Sequence, residues 1–369
     1  MEKVKVGVIG LGFGKEFVPI YQDYERSEVI AVSRRNEKEL NAAADQFGVK
    51  YRYTDWHDML KNPEIDAIHI VSPILDHYTM AVEGLKAGKH VACTVPMGVT
   101  LDELKEIVKL SKETGKYYMM METSVYTREY LYVKDLVETG KLGRIQFVRG
   151  SHMQDMGLEG WPDYWLGFPP FWYGTHAVSP LFCITGKYPE SVICHGSGSI
   201  SADKAEKYNS PFAVETATFK LKDSNIVAEA TRSLYETVRQ YRESFDIYGD
   251  KMAFEWDQIE DEGEVLFPGG EDAERFKVPD TDALLPDSIK KYTLRESIQD
   301  ESHVSFVQGA GHGGSHPHLV KEFVDAIYEG RQPAINAVTS AYWTAAGICA
   351  HESAVNGAAK VMIPDFENL

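Results

Sequence analysis

Apolar and amphipathic segments alternate along the first third of the chain. The short apolar runs KVKVGVIG, EVIAVS, DAIHIVSP, HVACTV and KYYMMME are separated by stretches with helical periodicity, such as NEKELNAAADQFG and TLDELKEIVKLSKETG. Strands joined by helices of this length need crossover connections, which favour a parallel sheet. An antiparallel sheet would need hairpin turns that this region lacks. We therefore predict an α/β fold, with a doubly wound parallel (Rossmann) sheet over residues 1–123.

Strand-like runs dominate the sequence from Gly143 onward. These runs are RIQFVRGSHM, SVICHGSGSI, FAVETATFKL, NIVAEATRS, ESFDIYG and MAFEWD, and they predict an antiparallel sheet. Residues 260–311 are charged and irregular, too long for a plain connection, and are interpreted as a lid or arm. Two helical segments, HPHLVKEFVDAIYEG and VTSAYWTAAGICAHESAVNG, close the chain. Residues 124–369 are therefore predicted to form a second domain of the α+β class.

The net charge and the cysteine content of the chain exclude several kinds of partner and site. The chain of 369 residues has a net charge of −18, and a field of this sign repels phosphates, which argues against nucleic acid and anionic membranes as partners. Its four cysteines are far apart and form no C-x-x-C pair, so we expect neither a disulfide scaffold nor a thiolate zinc site. The N-terminus shows no signal-like stretch, and no apolar run reaches about 18 residues, so we expect a cytoplasmic protein.

The first predicted strand ends in a glycine-rich loop, GLGFGK at residues 10–15. Gly10 permits a tight turn, and Gly12 lets the backbone approach a pyrophosphate at a helix N-terminus, as in the dinucleotide fingerprint G-x-G-x-x-G. The third glycine of that fingerprint is displaced. A glycine-rich turn after a strand often binds no ligand. Because this turn follows the first strand of an alternating fold, we predict a dinucleotide site at Gly10, Gly12, Phe13 and Gly14.

The ends of the later strands supply further cofactor candidates. The second strand ends at Ser33-Arg34-Arg35, where an NAD-binding sheet usually has an acidic residue and an arginine suits a 2′-phosphate. We therefore favour NADP over NAD, the alternative being two solvated arginines. The remaining candidates lie at or just after the ends of later strands: Ser72, His77, Thr94, Pro96 and Glu122.

Several motifs resemble one oxidoreductase family over essentially the whole chain. GVIGLGFG, VSPILDHY, AGKHVACTVPMGVTLDE and SVYTREYLYVKDLVETGKLGRIQFVRG look like the family of glucose–fructose oxidoreductase, inositol dehydrogenase and MocA. The resemblance implies a dinucleotide-binding domain followed by a substrate and oligomerisation domain on a large open, mainly antiparallel sheet. It also implies oxidation or reduction of a sugar or cyclitol hydroxyl with NAD(P), in a homodimer or homotetramer.

The chain departs from this family at its proton-handling residues. The family motif E-K-P is Thr94-Val95-Pro96 here, and the D-x-x-x-H motif keeps His176 but has Trp172 in place of the aspartate. A narrower resemblance is to the NAD-dependent glycoside hydrolases with N-acetylgalactosaminidase activity. These enzymes also have V-P in place of the lysine, and they keep a tyrosine and a Y-x-T-H motif that match Tyr126 and Tyr173–His176.

The catalytic candidates are His176, Tyr126 and Tyr173. An imidazole takes and gives protons near neutral pH, and a phenol acts similarly if a neighbouring cation lowers its pKa. Packing or helix capping is the alternative role for each residue. A Pro- and Gly-rich loop is dense in aromatic residues that suit sugar rings, or else a domain or oligomer contact. The substrate candidates are Trp161, Asp163, Trp165, Trp172 and His312.

Three functions remain open at this point. The first is an NAD(P)-dependent oxidoreductase for a sugar or glycoside, in which His176 and Tyr126 replace the lysine. The second is a redox-neutral glycoside hydrolase that transiently oxidises C3 and eliminates the C1 group. The third is a non-catalytic regulator that binds the cofactor. We expect no metal site, because no carboxylate cluster accompanies the histidines of GHGGSHPH.

Overall fold

The computed structural model describes residues 2–239, 241–260, 262–294 and 310–369. Its first sheet has six parallel strands in the order β3-β2-β1-β4-β5-β6. The strands are β1 (Val4–Ile9), β2 (Ser27–Ser33), β3 (Tyr51–Tyr53), β4 (Ala67–Ile70), β5 (His90–Cys93) and β6 (Tyr118–Met120). This arrangement confirms the predicted doubly wound sheet.

Helices cover both faces of this sheet, as a buried parallel sheet requires. They are α1 (Phe17–Asp23), α2 (Glu37–Phe47), α3 (Trp56–Leu60), α4 (His77–Lys86) and α5 (Leu101–Thr114). Their ends follow from local chemistry: the Asn36 side chain caps α2, and Thr100 with Glu103 forms a capping box at α5. All four residues of β4 are buried, including His69, which explains why three of the four are apolar.

The second sheet has nine strands in the order β14-β13-β12-β11-β7-β10-β9-β8-β15. β7 and β10 are parallel, and the other neighbours are antiparallel, so the mainly antiparallel sheet is also confirmed. The strands are β7 (Ile145–Met153), β8 (Pro189–Ser197), β9 (Val214–Leu221), β10 (Val227–Ser233), β11 (Arg242–Gly249), β12 (Met252–Glu255), β13 (Glu264–Pro268), β14 (Glu274–Phe276) and β15 (Val361–Met362).

Two helices in the second half position the loop that precedes His176. The helices of this half are α6 (Arg128–Glu138), α7 (Thr175–Thr185), α8 (Ala202–Tyr208), α9 (His316–Glu329) and α10 (Ala337–Val355). Glycines allow close approach on both sides of this region. A Cβ on Gly150 of β7 would overlap the carbonyl oxygen of Ala177 in α7, and a Cβ on Gly347 of α10 would overlap that of Phe171.

Two predictions lie partly or wholly beyond what the structure tests. The interpretation of residues 260–311 as a lid includes 295–309, which lie outside the described residues, while β13 and β14 show that the part before them is partly regular. The domain boundary after residue 123 also stays a prediction. Across the described part of the chain, no helix is both long and apolar enough to cross a membrane.

We expect Gly347→Ala to destabilise the protein, because the new methyl group must push the Phe171 backbone away from α10. Overpacking of this kind costs about 1–3 kcal/mol. Chemical denaturation should show the loss as a lower midpoint with an unchanged slope. Val355→Ala, at a half-exposed position of the same helix, is the control and should change the free energy of unfolding by less than about 0.5 kcal/mol. An unchanged midpoint for Gly347→Ala would contradict the close approach.

Candidate active site

One cleft of about 720 Å³ joins the carboxyl ends of the parallel strands to the N-terminus of α7. This is the size of an ordinary small-molecule site, and its position is where open parallel sheets bind ligands. The lining includes predicted cofactor, catalytic and substrate residues, which are Gly10, Gly12, Phe13, Ser33, Arg34, Arg35, Ser72, His77, Thr94, Tyr173, His176, Trp161, Trp165 and His312.

The glycine loop forms one end of the cleft. Gly10 has φ +90°, and a Cβ there would overlap the carbonyl oxygen of Val71, so only glycine fits the turn. A Cβ on Gly12 would meet no atom within 4 Å, so this glycine faces open space. Gly14 is buried against Val8 and is absent from the cleft lining. The loop therefore fits a dinucleotide at Gly10 and Gly12, whereas Gly14 serves packing.

A positive side chain at the end of β2 and a negative side chain in the first turn of α2 both line the cleft. Arg34 forms an ion pair with Glu39 of α2, and both residues line the cleft beside Arg35. The sequence showed no acid at the end of this strand, because Glu39 arrives from the first turn of the following helix. The Glu39 carboxylate is thus available to accept a hydrogen bond from a ribose hydroxyl.

His77 ties together the loops after β4 and β5. Its Nδ1 lies 2.7 Å from the carbonyl oxygen of Pro96, and its Nε2 lies 2.9 Å from that of Ser72. Burial lowers the pKa of His77, so the ring is neutral and donates to one of the two oxygens. Val95, at the position of the family's lysine, is buried and lines the cleft with an apolar side chain. It offers no proton-handling group there.

Glu122 has a different position from the one predicted. It was expected to contact the cofactor, but it is fully buried behind the cleft, where its Oε1 lies 2.6 Å from His176 Nδ1. The same oxygen accepts hydrogen bonds from the Ser124 amide and hydroxyl, which fixes the carboxylate. This geometry holds the His176 ring with Nε2 toward Tyr173, whose hydroxyl lies 3.3 Å away. Glu122 is thus a partner of His176.

Burial and charge act in opposite directions on His176. Burial alone would lower its pKa, but the carboxylates of Glu122 and Glu243 outweigh burial and raise the pKa to about 9. His176 is therefore an imidazolium at neutral pH in the ligand-free protein. Burial raises the pKa of the Tyr173 phenol well above its usual range, so that group stays protonated. The pair presents hydrogen-bond donors to an oxygen in the cleft.

A row of buried polar residues on the second sheet supports this pair and was missed in the sequence. His152 of β7 lies opposite both Arg232 of β10 and Glu243 of β11. Arg232 is fully buried and donates to the carbonyl oxygens of Tyr173 at 2.7 Å and His152 at 3.1 Å. Gln154, which accepts from the same guanidinium, lines the cleft. Polar residues at matching positions of three strands were the available signal, but the register was needed to use it.

Besides Gly14 and Glu122, four predicted site residues are absent from the cleft lining: Pro96, Tyr126, Asp163 and Trp172. Tyr126 stacks on His318 with ring centroids 6.2 Å apart and is absent from the cleft lining. Trp172 packs edge-on against His351, and the Asp163 carboxylate is almost fully exposed. The tryptophans and histidine of the substrate prediction that do line it are Trp161, Trp165 and His312. Among the described residues, no group of three or more His, Cys, Asp or Glu side chains could hold a metal ion.

Solved structures with the same fold span nearly the whole chain. Scyllo-inositol dehydrogenase from Lactobacillus casei, with bound NAD(H) and scyllo-inositol, is 20% identical with a TM-score of 0.75, covering 98% of this chain and 99% of its own. An oxidoreductase from Agrobacterium radiobacter, in complex with NAD+, L-tartaric acid and magnesium, is 16% identical with a TM-score of 0.80, covering 98% of both chains. At these identities the likeness shows the fold.

Sequence relatives fall into two groups. An uncharacterized oxidoreductase of Rhizobium meliloti is 28% identical over 185 residues, 46% of this chain and 54% of its own length. The chain therefore spans only about half the length of that relative. A glycosyl hydrolase family 109 protein of Bacteroides thetaiotaomicron is 23% identical over 99% of this chain and 85% of its own. A namesake from Streptomyces filamentosus is 25% identical over 98% of this chain and 77% of its own.

The family model that matches is GFO_IDH_MocA, described as an oxidoreductase family with an NAD-binding Rossmann fold, over residues 4–122. The matched range begins with β1 and ends at Glu122, so it contains the whole parallel sheet and the glycine loop. The resemblance predicted from the motifs is confirmed: residues 4–122, which form the parallel sheet, match the GFO_IDH_MocA oxidoreductase family.

Proposed function

We propose that this protein is an NAD(P)-dependent oxidoreductase that acts on a hydroxyl or keto group of a sugar or glycoside. One observation carries the proposal: a single cleft joins the dinucleotide loop to the buried Glu122–His176 pair. A nicotinamide cofactor bound there would supply or accept the hydride. Side chains of the protein would then have to donate or accept the proton.

His176 and Tyr173 handle that proton. In the reducing direction, the His176 imidazolium donates through Nε2 or through the adjacent Tyr173 hydroxyl to the substrate oxygen. In the oxidising direction, His176 must first lose its proton, so oxidation is favoured as the pH rises toward about 9. Tyr126 is not part of this proposal, because its ring lies against His318 and away from the cleft.

The aromatic loop forms the outer wall for the substrate. Trp161 and Trp165 line the cleft, and the Trp165 ring lies edge-on to Tyr173 with centroids 4.9 Å apart. Flat apolar rings beside hydrogen-bond donors suit a sugar, which has apolar ring faces and polar edges. This wall supports a carbohydrate substrate, while a homo-oligomer and a cytoplasmic location stay predictions.

NAD fits the end of β2 better than the NADP that the sequence suggested. Arg34 is already neutralised by Glu39, and the Glu39 carboxylate would repel a 2′-phosphate. The same carboxylate accepts hydrogen bonds from the hydroxyls of an unphosphorylated ribose. We therefore propose NAD as the preferred cofactor.

Redox-neutral cleavage of a glycoside is the second candidate function. Two observations favour it: the cleft has Val95 in place of the lysine, and the relatives that match nearly the whole chain are named as glycosyl hydrolase family 109 proteins. In that reaction C3 of the sugar is oxidised transiently, the C1 group is eliminated, water adds and the hydride returns. A non-catalytic regulator is the remaining alternative.

Replacing Glu122 should lower the pKa of His176. Glu122→Gln keeps the shape but removes the charge that stabilises the imidazolium, so the pKa of about 9 should fall by at least one unit, or about 1.4 kcal/mol. Histidine NMR titration measures the shift. Glu215→Gln is the matched control, because Glu215 is equally buried and pairs with His351 at 2.6 Å; it should leave His176 unchanged. A His176 titration unaffected by Glu122→Gln would refute the pairing.

The same pair should make stability depend on pH. A folded pKa raised above the ordinary 6.5 contributes stability that is fully present below pH 6.5 and is lost as the pH rises through about 9. Wild-type protein should therefore lose more stability between these limits than Glu122→Gln does, as measured by denaturation at each pH. Parallel pH curves for the two proteins would contradict the raised pKa.

Glu39 should set the cofactor preference. We expect wild-type protein to bind NAD more tightly than NADP, and Glu39→Gln to shift the ratio toward NADP by about tenfold, or ~1.4 kcal/mol. Calorimetric titration of cofactor-free protein measures both affinities. Glu37→Gln, an exposed acid of the same helical turn that is absent from the cleft lining, is the control. Gly12→Val should weaken both nucleotides. Tighter NADP binding by the wild type would overturn the assignment.

A substrate panel separates the functions. His176→Ala should slow turnover by about 10²–10⁴-fold and leave nucleotide binding intact. On aryl glycosides and free sugars, stoichiometric reduced cofactor selects the oxidoreductase, and aglycone release without net reduction selects the glycosidase. Val95→Lys should help or do little for the oxidoreductase but harm the elimination, because it adds a cation inside an apolar wall. If no substrate of the panel reacts although the nucleotide still binds, the result would select the non-catalytic regulator.

A further inference from the structure

Three ionisable side chains form a continuous row of polar contacts from the cleft toward the surface, in which a hydrogen bond joins His312 to His316 and an ion pair joins His316 to Glu16. His316 Nε2 lies 3.1 Å from His312 Nδ1, and His316 Nδ1 lies 3.0 Å from Glu16 Oε2. The His316 side chain is 3% exposed, whereas Glu16 is 10% exposed and so reaches solvent. This row connects the turn after the glycine loop with the start of α9, and neither the fold nor the proposed chemistry uses it so far.

His312 presents the inner end of this row to the cleft. Its ring lies 6.2 Å from the His176 ring, measured between centroids, and both residues line the cleft. One substrate hydroxyl or one water molecule is enough to bridge such a gap. The His312 backbone has φ +43°, a conformation that non-glycine residues rarely adopt. Phe13 packs edge-on against both His312 and His316, which holds the two rings in place.

The two histidines can pass a proton without moving. In one state, neutral His316 donates from Nδ1 to Glu16 and accepts at Nε2 from the His312 Nδ1–H, which leaves His312 Nε2 free to accept a proton. In the other state, His316 is an imidazolium that donates to both neighbours, and His312 carries its proton on Nε2. Each state places a donor opposite an acceptor at both contacts. A proton that enters at His312 Nε2 therefore leaves from His316 Nδ1 toward Glu16. Both rings then carry their remaining proton on Nε2, and each must return it to Nδ1 before the next transfer.

The proposed reaction needs such a route. In the oxidising direction, the substrate O–H bond would break and its proton would go to His176, while a nicotinamide cofactor held at the glycine loop would accept the hydride. His176 is 3% exposed and opens onto the cleft, so a bound substrate would close its path to bulk water. We propose that His312, His316 and Glu16 form a proton relay that empties and refills the cleft, an inference that rests on the proposed function.

The charges along the route decide where the proton rests. Glu122 and Glu243 hold the proton on His176, whereas burial, with the nearby His316 and His176, keeps the pKa of His312 well below its usual range. Proton transfer from the relay to His176 is therefore downhill, and discharge from His176 through His312 is the uphill step that the relay must carry. The Glu16 carboxylate at the far end stabilises the proton once it has reached His316.

Breaking the relay should slow proton release and leave hydride transfer unchanged. Glu16→Gln and His316→Gln should lower steady-state turnover by roughly 10- to 10²-fold, at or below the low end for an acid–base group. When the reaction is started above pH 9, where His176 has already lost its proton, the first turnover, followed by reduced-cofactor absorbance, should keep its wild-type rate, while proton release to a pH-indicator dye lags behind it. Added imidazole should restore turnover in proportion to its concentration, which a structural defect would not show. Equal loss in both phases without rescue would overturn the relay.

His318→Gln is the matched control. His318 lies on the same helix, two residues from His316, but it faces Tyr126 instead of the relay. It should leave turnover, proton release and the response to imidazole as in the wild type. A proton-release lag in this variant equal to that of His316→Gln would also overturn the relay, because the effect would then belong to the helix.

A second measurement separates this proposal from the proposed function. Histidine ¹⁵N NMR of the full chain without substrate should show His312 Nδ1 and His316 Nε2 sharing one proton, and Glu16→Gln should shift both resonances. If they do not couple, the relay is wrong even when the enzyme is active. If wild-type protein turns over no substrate, the proposed function fails, and the NMR result alone decides whether the row of polar contacts exists.

Discussion

The ion pair between Glu122 and His176 holds together the two halves of the site. Glu122 follows the last strand of the parallel sheet, and His176 begins the helix that packs on the second sheet. Burying a carboxylate is expensive unless it is paired and hydrogen-bonded, and here the imidazolium and two Ser124 donors all stabilise Oε1, while the buried Oε2 has no hydrogen-bond partner among the described residues. Removing one partner from such a pair typically costs about 3–5 kcal/mol. The same contact therefore fixes the protonation of His176 and joins the parallel sheet to the helix on the second sheet.

Val95 changes the electrostatics of the opposite wall. A lysine there would place a cation near the substrate, whereas valine leaves that wall apolar and neutral. The positive charge in the cleft comes instead from His176, behind which a carboxylate is fixed. The ionisable group of the cleft thus lies on the helix that packs on the second sheet, and the polar row of His152, Arg232 and Glu243 lies beside it.

The sequence predicted the parts of the molecule that depend on local pattern. Alternating strands and helices gave the parallel sheet, and the glycine loop and His176 were found by motif. β3 was missed because three residues with a central arginine carry little apolar signal, although pairing with β2 is enough to form an edge strand. The role of Glu122 and the part played by Arg232 depend on which distant strands meet. Such contacts between residues far apart in the chain cannot be assigned from one sequence until the strand register is known.

Tyr126 shows the opposite error, in which a motif matched but the side chain points elsewhere. When a short helical turn follows a strand, as it does at Thr123–Val125, the position of a residue in the motif does not determine where its side chain points.

The buried guanidinium of Arg232 has a consequence for how this chain tolerates change in length. Its four carbonyl and amide partners are His152 of β7, Gln154 just after β7, Ser233 of β10 and Tyr173 in the turn before α7. They match only while the two strands keep their register. Side chains alternate along a strand, so a one-residue insertion or deletion in β10 would turn Arg232 to the other face. The length of β10 is therefore fixed to the residue by one buried side chain.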